Sequence, residues 1–84
     1  MIVVLLAGTV REAEQHARLA GVARSDTIIP RTSRGLEGLR LGDGDLIVEF
    51  PSFVDHPCRS EVYDTLLRTL AKSKAKPVWE RVGR

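Results

Sequence analysis

Hydrophobic residues at the start of the chain form a continuous run that leads into an amphipathic segment. Residues 2–7 are all apolar, and residues 10–20 carry small apolar side chains at helical spacing. Thr9 and Glu12 have the spacing of a capping box, in which each side chain satisfies a free backbone N–H of the other residue. Gly21 suits the left-handed conformation at which many helices end. The pattern predicts a buried strand followed directly by a capped helix.

The inward face of this first helix is predicted to consist of small residues. Its members at helical spacing are Val10, Ala13, Ala17 and Ala20. Because alanine adds little bulk to the backbone, we expect the helix to lie close against its sheet.

Three later segments have the hydrophobic content of strands. Residues 27–29 are followed by Pro30, which cannot donate to a strand ladder, so this strand is predicted at an edge. Four of the residues 45–50 are apolar, three of them consecutive, which is typical of a central strand in a parallel sheet. For residues 77–82 the pattern leaves two alternatives open, a fourth parallel strand or an irregular tail.

Two further helical segments complete the predicted fold. Residues 33–39 are compatible with a brief helix, and residues 57–72 carry apolar residues four apart. The first and third strands are the most hydrophobic and should be neighbours, so right-handed crossovers give a sheet of order 2-1-3-4. Residues 1–84 are therefore predicted to form a single α/β domain. The expected fold is a small three-layer, Rossmann-like or flavodoxin-like domain with a mostly parallel four-stranded sheet and about three helices.

Composition limits the protein classes and cellular compartments to which the chain can belong. The formal net charge is +2, and apolar residues make up 43% of the chain, which is ordinary for a globular protein. A lone cysteine, Cys58, excludes an internal disulfide, and no basic segment precedes the first apolar run as it would in a signal peptide. The longest apolar run is far shorter than the roughly 20 residues that span a bilayer. We therefore expect a cytoplasmic protein without a membrane partner.

Polar residues in the loops predict a ligand site at one edge of the sheet. In open parallel sheets ligands bind above the carboxyl ends of the strands where the strand order reverses, here between the first and third strands. A cation in the first turn of a helix is disfavoured by the helix dipole, so an anion beside Arg11 would relieve that repulsion. We predict a phosphate or nucleotide site; the alternative is that the arginines only occupy solvent at loop ends. Its candidate residues are Gly8, Thr9, Arg11, Arg31, Arg34, Ser52, His56 and Arg59.

Basic residues are also concentrated near the end of the chain. Together with Trp79, they could bind nucleic acid through phosphate contacts and base stacking. The alternative is a solvated helix end, because lysine near a helix C-terminus complements the helix dipole. The residues concerned are Lys72, Lys74, Lys76, Arg81 and Arg84.

The neighbouring residues Asp55, His56 and Cys58 invite a catalytic interpretation, because a thiol at a helix start is easily ionised. The simpler interpretation is that Asp55 caps the last helix, Pro57 lies in its first turn and Cys58 is a small buried residue. One cysteine and two histidines are too few for an internal zinc site. We therefore predict no catalytic residue, no metal site and no cofactor.

Three segments resemble short α/β proteins encoded by actinobacterial phages. They are the turn and helix start at residues 8–14, the segment at residues 33–40 and the hydrophobic strand at residues 46–50. The resemblance implies a phage or prophage origin and a Rossmann-like fold. It implies no activity, because the shared motifs are structural.

The leading functional hypothesis is a non-enzymatic binding or assembly module that works through its surface or its edge strands. A protein partner or self-association is expected, with Leu19 and Trp79 as candidate contacts between copies. The second hypothesis is a phosphate, nucleotide or nucleic-acid binder that uses the arginine-lined crevice. An enzyme is the third, since no acid and base pair is identified.

Overall fold

The computed structural model describes residues 1–74 and 76–82 of the chain. Its strands are β1 (Val3–Leu6), β2 (Thr27–Ile28), β3 (Leu46–Glu49) and β4 (Val78–Arg81), and its α-helices are α1 (Val10–Ala20) and α2 (Arg59–Ser73). Three short 3₁₀ helices span Arg24–Asp26, Ser33–Leu36 and Pro51–Asp55.

The four strands form one all-parallel sheet in the order β2-β1-β3-β4, which confirms the predicted order 2-1-3-4. Val4 pairs with Ile28 on one side and with Ile47 on the other, and Ile47 in turn pairs with Trp79. The segment whose structure the sequence left open is therefore a fourth parallel strand. It lies at the far edge because β1 already occupies the other side of β3.

The expectation of about three helices is wrong, because residues 1–74 and 76–82 contain two α-helices. The segment predicted as a brief helix forms only the 3₁₀ turn Ser33–Leu36. Gly38 has a φ of 74°, a left-handed conformation that a continuing right-handed helix cannot contain. The chain is already extended at Glu37, so the helix ends after a single turn.

The sheet has a different core on each face. On one face α1 covers a core made of small and medium-sized residues: Val3, Leu5, Ala7, Ala13, Ala17, Val48 and Phe50. On the other face α2 and the 3₁₀ turn Ser33–Leu36 cover the larger residues Val4, Leu6, Leu36, Leu41, Ile47, Phe53, Val62 and Leu66. The helices therefore lie on opposite sides of the sheet.

The alanine face of α1 is buried only along part of its length. Ala13 and Ala17 are buried as predicted, Val10 is half-buried, and Ala20 is exposed. The underlying edge strand β2 contains only two residues. Because so short a strand gives the helix little to cover, part of the face of α1 is left beside a depression.

A carboxylate at the amino-terminal edge joins the two central strands. Asp45 accepts hydrogen bonds from the backbone N–H of Ile2 at 2.8 Å and from that of Gly42 at 2.7 Å. These two bonds favour the ionised form and hold the pKa of Asp45 below its usual range. The side chain thereby fixes the start of β3 beside β1.

Neither α-helix in the described part of the chain is long and apolar enough to cross a membrane.

Candidate functional site

The space above the carboxyl ends of β1 and β3, here called the switch-point crevice, is filled by the protein itself. The backbone N–H of Gly8 donates to Ser52 Oγ at 3.0 Å, and Ser52 Oγ donates to the Glu12 carboxylate. A Cβ atom on Gly8 would lie 2.5 Å from the carbonyl oxygen of Ser52. The backbone of the 3₁₀ helix Pro51–Asp55 thus lies directly against the turn that begins α1.

The start of α1 has half of the predicted capping box. The backbone N–H of Glu12 donates to Thr9 Oγ1 at 3.2 Å, so Thr9 is the cap. The Glu12 carboxylate, however, is bonded to Ser52 rather than turned back to Thr9. A negative charge therefore already lies at the helix end where an anion would bind.

His56 has a structural role at the start of α2. Its Nδ1 accepts from the backbone N–H of Cys58 at 3.0 Å, and its Nε2 lies 3.1 Å from the carbonyl oxygen of Pro30. Since Nδ1 accepts, Nε2 carries the proton and donates to Pro30. The prediction that Asp55 caps α2 is wrong, because the capping position is Cys58 and no side chain caps it.

The four arginines predicted for the crevice do not meet in one site. All four side chains are exposed. Arg31 lines a groove beside β2, whereas Arg59 lines a smaller hollow of about 360 Å³ with His56 and has its guanidinium 5.7 Å from the ring centre of Tyr63. Arg11 and Arg34 line neither depression. The four charges therefore do not form one anion site.

The larger depression, here called the α1–β2 groove, runs between the first helix and the edge strand. Its volume is about 520 Å³, which is in the range of small-molecule and peptide sites. Ala17, Val22 and Ile29 pack against the core on this face and give the groove an apolar floor. The complete lining is Val10, Glu14, Ala17, Arg18, Val22, Arg24, Thr27, Ile29 and Arg31.

Three arginines and one glutamate surround this floor. Arg18, Arg24 and Arg31 are exposed, and none of them forms an ion pair with another residue that the structure describes. Arg24 precedes β2 along the chain and Arg31 follows it, so these two residues flank the edge strand. The groove therefore carries three guanidinium groups against the single carboxylate of Glu14.

Sequence reasoning placed Arg31 in a ligand site but missed Arg18, Arg24 and Glu14. The available signal was a stripe of small residues on α1 together with a very short strand closed by Pro30. A helix that is longer than its edge strand leaves part of its apolar face uncovered.

A second polar cluster lies at the carboxyl ends of β3 and β4. Glu49 Oε1 accepts from Tyr63 Oη at 2.8 Å and from Trp79 Nε1 at 3.1 Å, and Arg81 Nε lies 3.7 Å away. Burial, followed by the nearby Glu49 carboxylate, raises the pKa of Tyr63 above its usual range. The cluster ties α2 and β4 to the central strand. A carboxylate at the end of an otherwise apolar strand was the signal for it in the sequence.

The two residues predicted for self-association lie far apart in the fold. Leu19 is 81% exposed on α1, whereas Trp79 packs against the core on the α2 side of the sheet. They therefore cannot belong to one contact patch on a single copy. Self-association stays a prediction, which sedimentation at high protein concentration tests.

The basic residues predicted to bind nucleic acid are divided between the amino-terminal and carboxyl-terminal ends of the strands. Lys72 and Lys74 lie at the end of α2 and Lys76 precedes β4, whereas Arg81 is the last residue of β4, at the other end of the strand. The backbone N–H of Lys76 donates to Asp43 Oδ1 at 2.9 Å. Arg84 lies outside the described residues.

Within residues 1–74 and 76–82, no group of three or more histidine, cysteine, aspartate or glutamate side chains is placed to hold a metal ion. Comparisons with protein-family models, with curated proteins and with solved structures found no match to this chain.

Proposed function

We propose that this protein is a non-enzymatic binding module that holds an acidic, partly apolar protein segment in the α1–β2 groove. The observation that carries the proposal is the set of three arginines without ion-pair partners among the described residues, placed around an aliphatic floor. Apolar groups of a ligand gain from burial on that floor, and its carboxylates gain from the guanidinium groups at the rim.

The expected affinity is modest. Exposed ion pairs contribute about 0.2–1 kcal/mol each and weaken with salt. The groove is open, so a ligand stays partly in solvent. A dissociation constant between about 1 µM and about 1 mM is expected, with a clear dependence on salt concentration.

The composition of the groove favours a peptide over nucleic acid. None of its lining residues is aromatic, so it offers no ring on which a base could stack. Its lining mixes three arginines with a carboxylate and aliphatic residues, which differs from the uniformly basic surface that follows a phosphate backbone.

Two side chains that acid–base or nucleophilic chemistry would use are occupied elsewhere. Ser52 is bonded to Gly8 and Glu12, and both ring nitrogens of His56 face backbone groups. This engagement supports a binding role over a catalytic one.

We also propose that the fold is Rossmann-like and that the protein works in the cytoplasm. The parallel order 2-1-3-4, with α1 and α2 on opposite faces, supports the first statement. The lone Cys58, which leaves no internal disulfide, supports the second.

A direct test uses a fluorescein-labelled peptide, Glu-Glu-Val-Thr-Val-Glu-Glu, and fluorescence anisotropy. We expect binding that weakens between about 50 mM and about 300 mM salt. Arg31→Glu should weaken it about tenfold or more, which corresponds to about 1.4 kcal/mol.

The matched control is Arg68→Glu, an equal change of charge at an exposed position of α2 across the sheet. It should leave the affinity within about twofold. Equal losses in the two variants would show general charge attraction and contradict the proposal. A single-stranded oligonucleotide that binds more tightly than the peptide, and loses binding in Arg31→Glu, would contradict it in favour of nucleic acid.

A further inference from the structure

The outer edge of β2 presents free backbone groups. β2 pairs with β1 on one side and has no described strand on the other. The backbone N–H of Thr27 donates to the carbonyl oxygen of Arg24, so the backbone of this residue points away from β1. Hydrogen-bonding direction alternates along a strand, so Ile29, two residues on, points to the same open edge. One N–H and two carbonyl groups are thus available there.

The same edge lies beneath an overhanging helix. Thr27 and Ile29 line the α1–β2 groove together with Val10, Glu14, Ala17 and Arg18 of α1. A chain placed beside β2 would therefore be covered on one face by the helix. α1 has 11 residues and is about 16 Å long, which matches about five residues of extended chain.

The opposite edge of the sheet is less suited to accept a strand. β4 carries the exposed charged residues Glu80 and Arg81, and Pro77 just before it has no N–H. Charges and proline at an edge are typical devices against strand pairing. Residues 27–29 of the β2 edge are uncharged.

From this geometry we propose that the acidic segment binds as a fifth strand of the sheet, adding to the open edge of β2 beneath α1. This proposal rests on the proposed function and specifies its binding mode. Alternate apolar side chains of the segment face Ala17, Val22 and Ile29 on the groove floor. Acidic residues at its two ends lie near Arg24 and Arg31, which flank β2 on either side. Backbone hydrogen bonds to the edge supply affinity, as in other cases of strand addition.

The test removes backbone donors from the peptide without changing its side chains. One peptide is N-methylated on both valines. The other is N-methylated on the threonine and on the glutamate that follows the second valine. In an extended strand these two sets of N–H groups face opposite sides, so only one set can bond to β2. We expect one methylated peptide to bind about tenfold or more weakly and the other to stay within about twofold of the parent.

Amide exchange of the protein gives an independent measurement. Addition of the parent peptide should slow hydrogen exchange at Ile29, whose N–H faces the open edge, and leave exchange at exposed Leu67 on α2 unchanged. No slowing at Ile29 under saturating peptide would overturn strand addition.

The outcomes separate the two proposals. If both methylated peptides bind like the parent peptide, or if both lose binding equally, strand addition is overturned. Loss of parent-peptide binding in Arg31→Glu would still support the α1–β2 groove as the binding site. If the parent peptide does not bind the unmodified protein, the proposed function itself fails.

Discussion

The switch-point crevice and the α1–β2 groove both border α1, yet only the groove keeps its polar groups available. In the crevice Ser52 Oγ accepts from the backbone N–H of Gly8 and donates to the Glu12 carboxylate. The Gly8 donor, the Ser52 hydroxyl and the Glu12 charge are therefore all engaged within the protein. In the groove Arg18 and Arg31 stand beside an apolar floor without an ion pair to any described residue. Topology locates the place where α/β proteins usually bind ligands. Whether a site exists there depends on which groups the local packing leaves free.

The largest expected effect comes from adding one methyl group in the crevice. In Gly8→Ala the new Cβ would meet the Ser52 carbonyl oxygen at 2.5 Å, so backbone must shift. We expect a loss of about 2–3 kcal/mol in the free energy of unfolding, measured with urea.

The matched control is Gly44→Ala, where no atom lies within 4 Å of the added Cβ. It should be neutral or slightly stabilising, since alanine reduces the entropy of the unfolded chain. An unchanged free energy of unfolding in Gly8→Ala would show that the crevice is open.

A smaller loss is expected when the crevice keeps its shape but loses its hydroxyl. Ser52→Ala removes the acceptor of the Gly8 N–H and the donor to Glu12. The free energy of unfolding should fall by about 1–2 kcal/mol, because a partly buried N–H loses its partner. Ser60→Ala, at an exposed position in α2, serves as the control and should change stability by less than about 0.5 kcal/mol.

Peptide affinity should stay the same in Ser52→Ala, because Ser52 does not line the groove. If binding weakened as much as it does in Arg31→Glu, the crevice and the groove would have to be regarded as one site.

The smallest expected effect is a dependence of the free energy of unfolding on pH. It arises from Asp45, which lies in neither the switch-point crevice nor the α1–β2 groove. The pKa of Asp45 is lowered from its ordinary value of 3.8 by two backbone hydrogen bonds. The folded state therefore binds this proton less readily than the unfolded state, and the stabilisation is fully present above that value. It is lost as the pH falls through the lowered pKa.

In Asp45→Asn we expect the free energy of unfolding at neutral pH to fall by about 1 kcal/mol. Its decline in acid should be shallower than in the unmodified protein. Unfolding curves from neutral pH down to below the ordinary pKa check this, with Asp64→Asn on the exposed face of α2 as the control. A decline equally steep in Asp45→Asn would assign the acid sensitivity to another carboxylate.

The candidate site was only partly visible in the sequence. Arg31 was predicted for the switch-point crevice because it follows the second strand, but it lines the α1–β2 groove instead. Arg18 and Arg24 could not be predicted, because their value as ligands depends on the depression left where α1 exceeds β2 in length. Similarly, Tyr63 and Glu49 are 14 residues apart, and only the packing of α2 on β3 brings their side chains together.

The sequence by itself determined the elements whose causes are local. Helix α1 spans the predicted residues and ends at Gly21 with a φ of 73°, because apolar spacing, the Thr9 cap and a glycine act within a few residues of one another. The sheet order followed too, since hydrophobicity places β1 and β3 at the centre and chirality sets the connections.

Only the tertiary structure decided which depression stays open. The bond between Ser52 and Glu12 joins residues 40 positions apart, and it depends on how closely the loop after β3 approaches the turn after β1. The groove likewise depends on the length of α1 relative to β2. Such contacts follow from the fit between elements, which no local pattern of apolar and polar residues specifies.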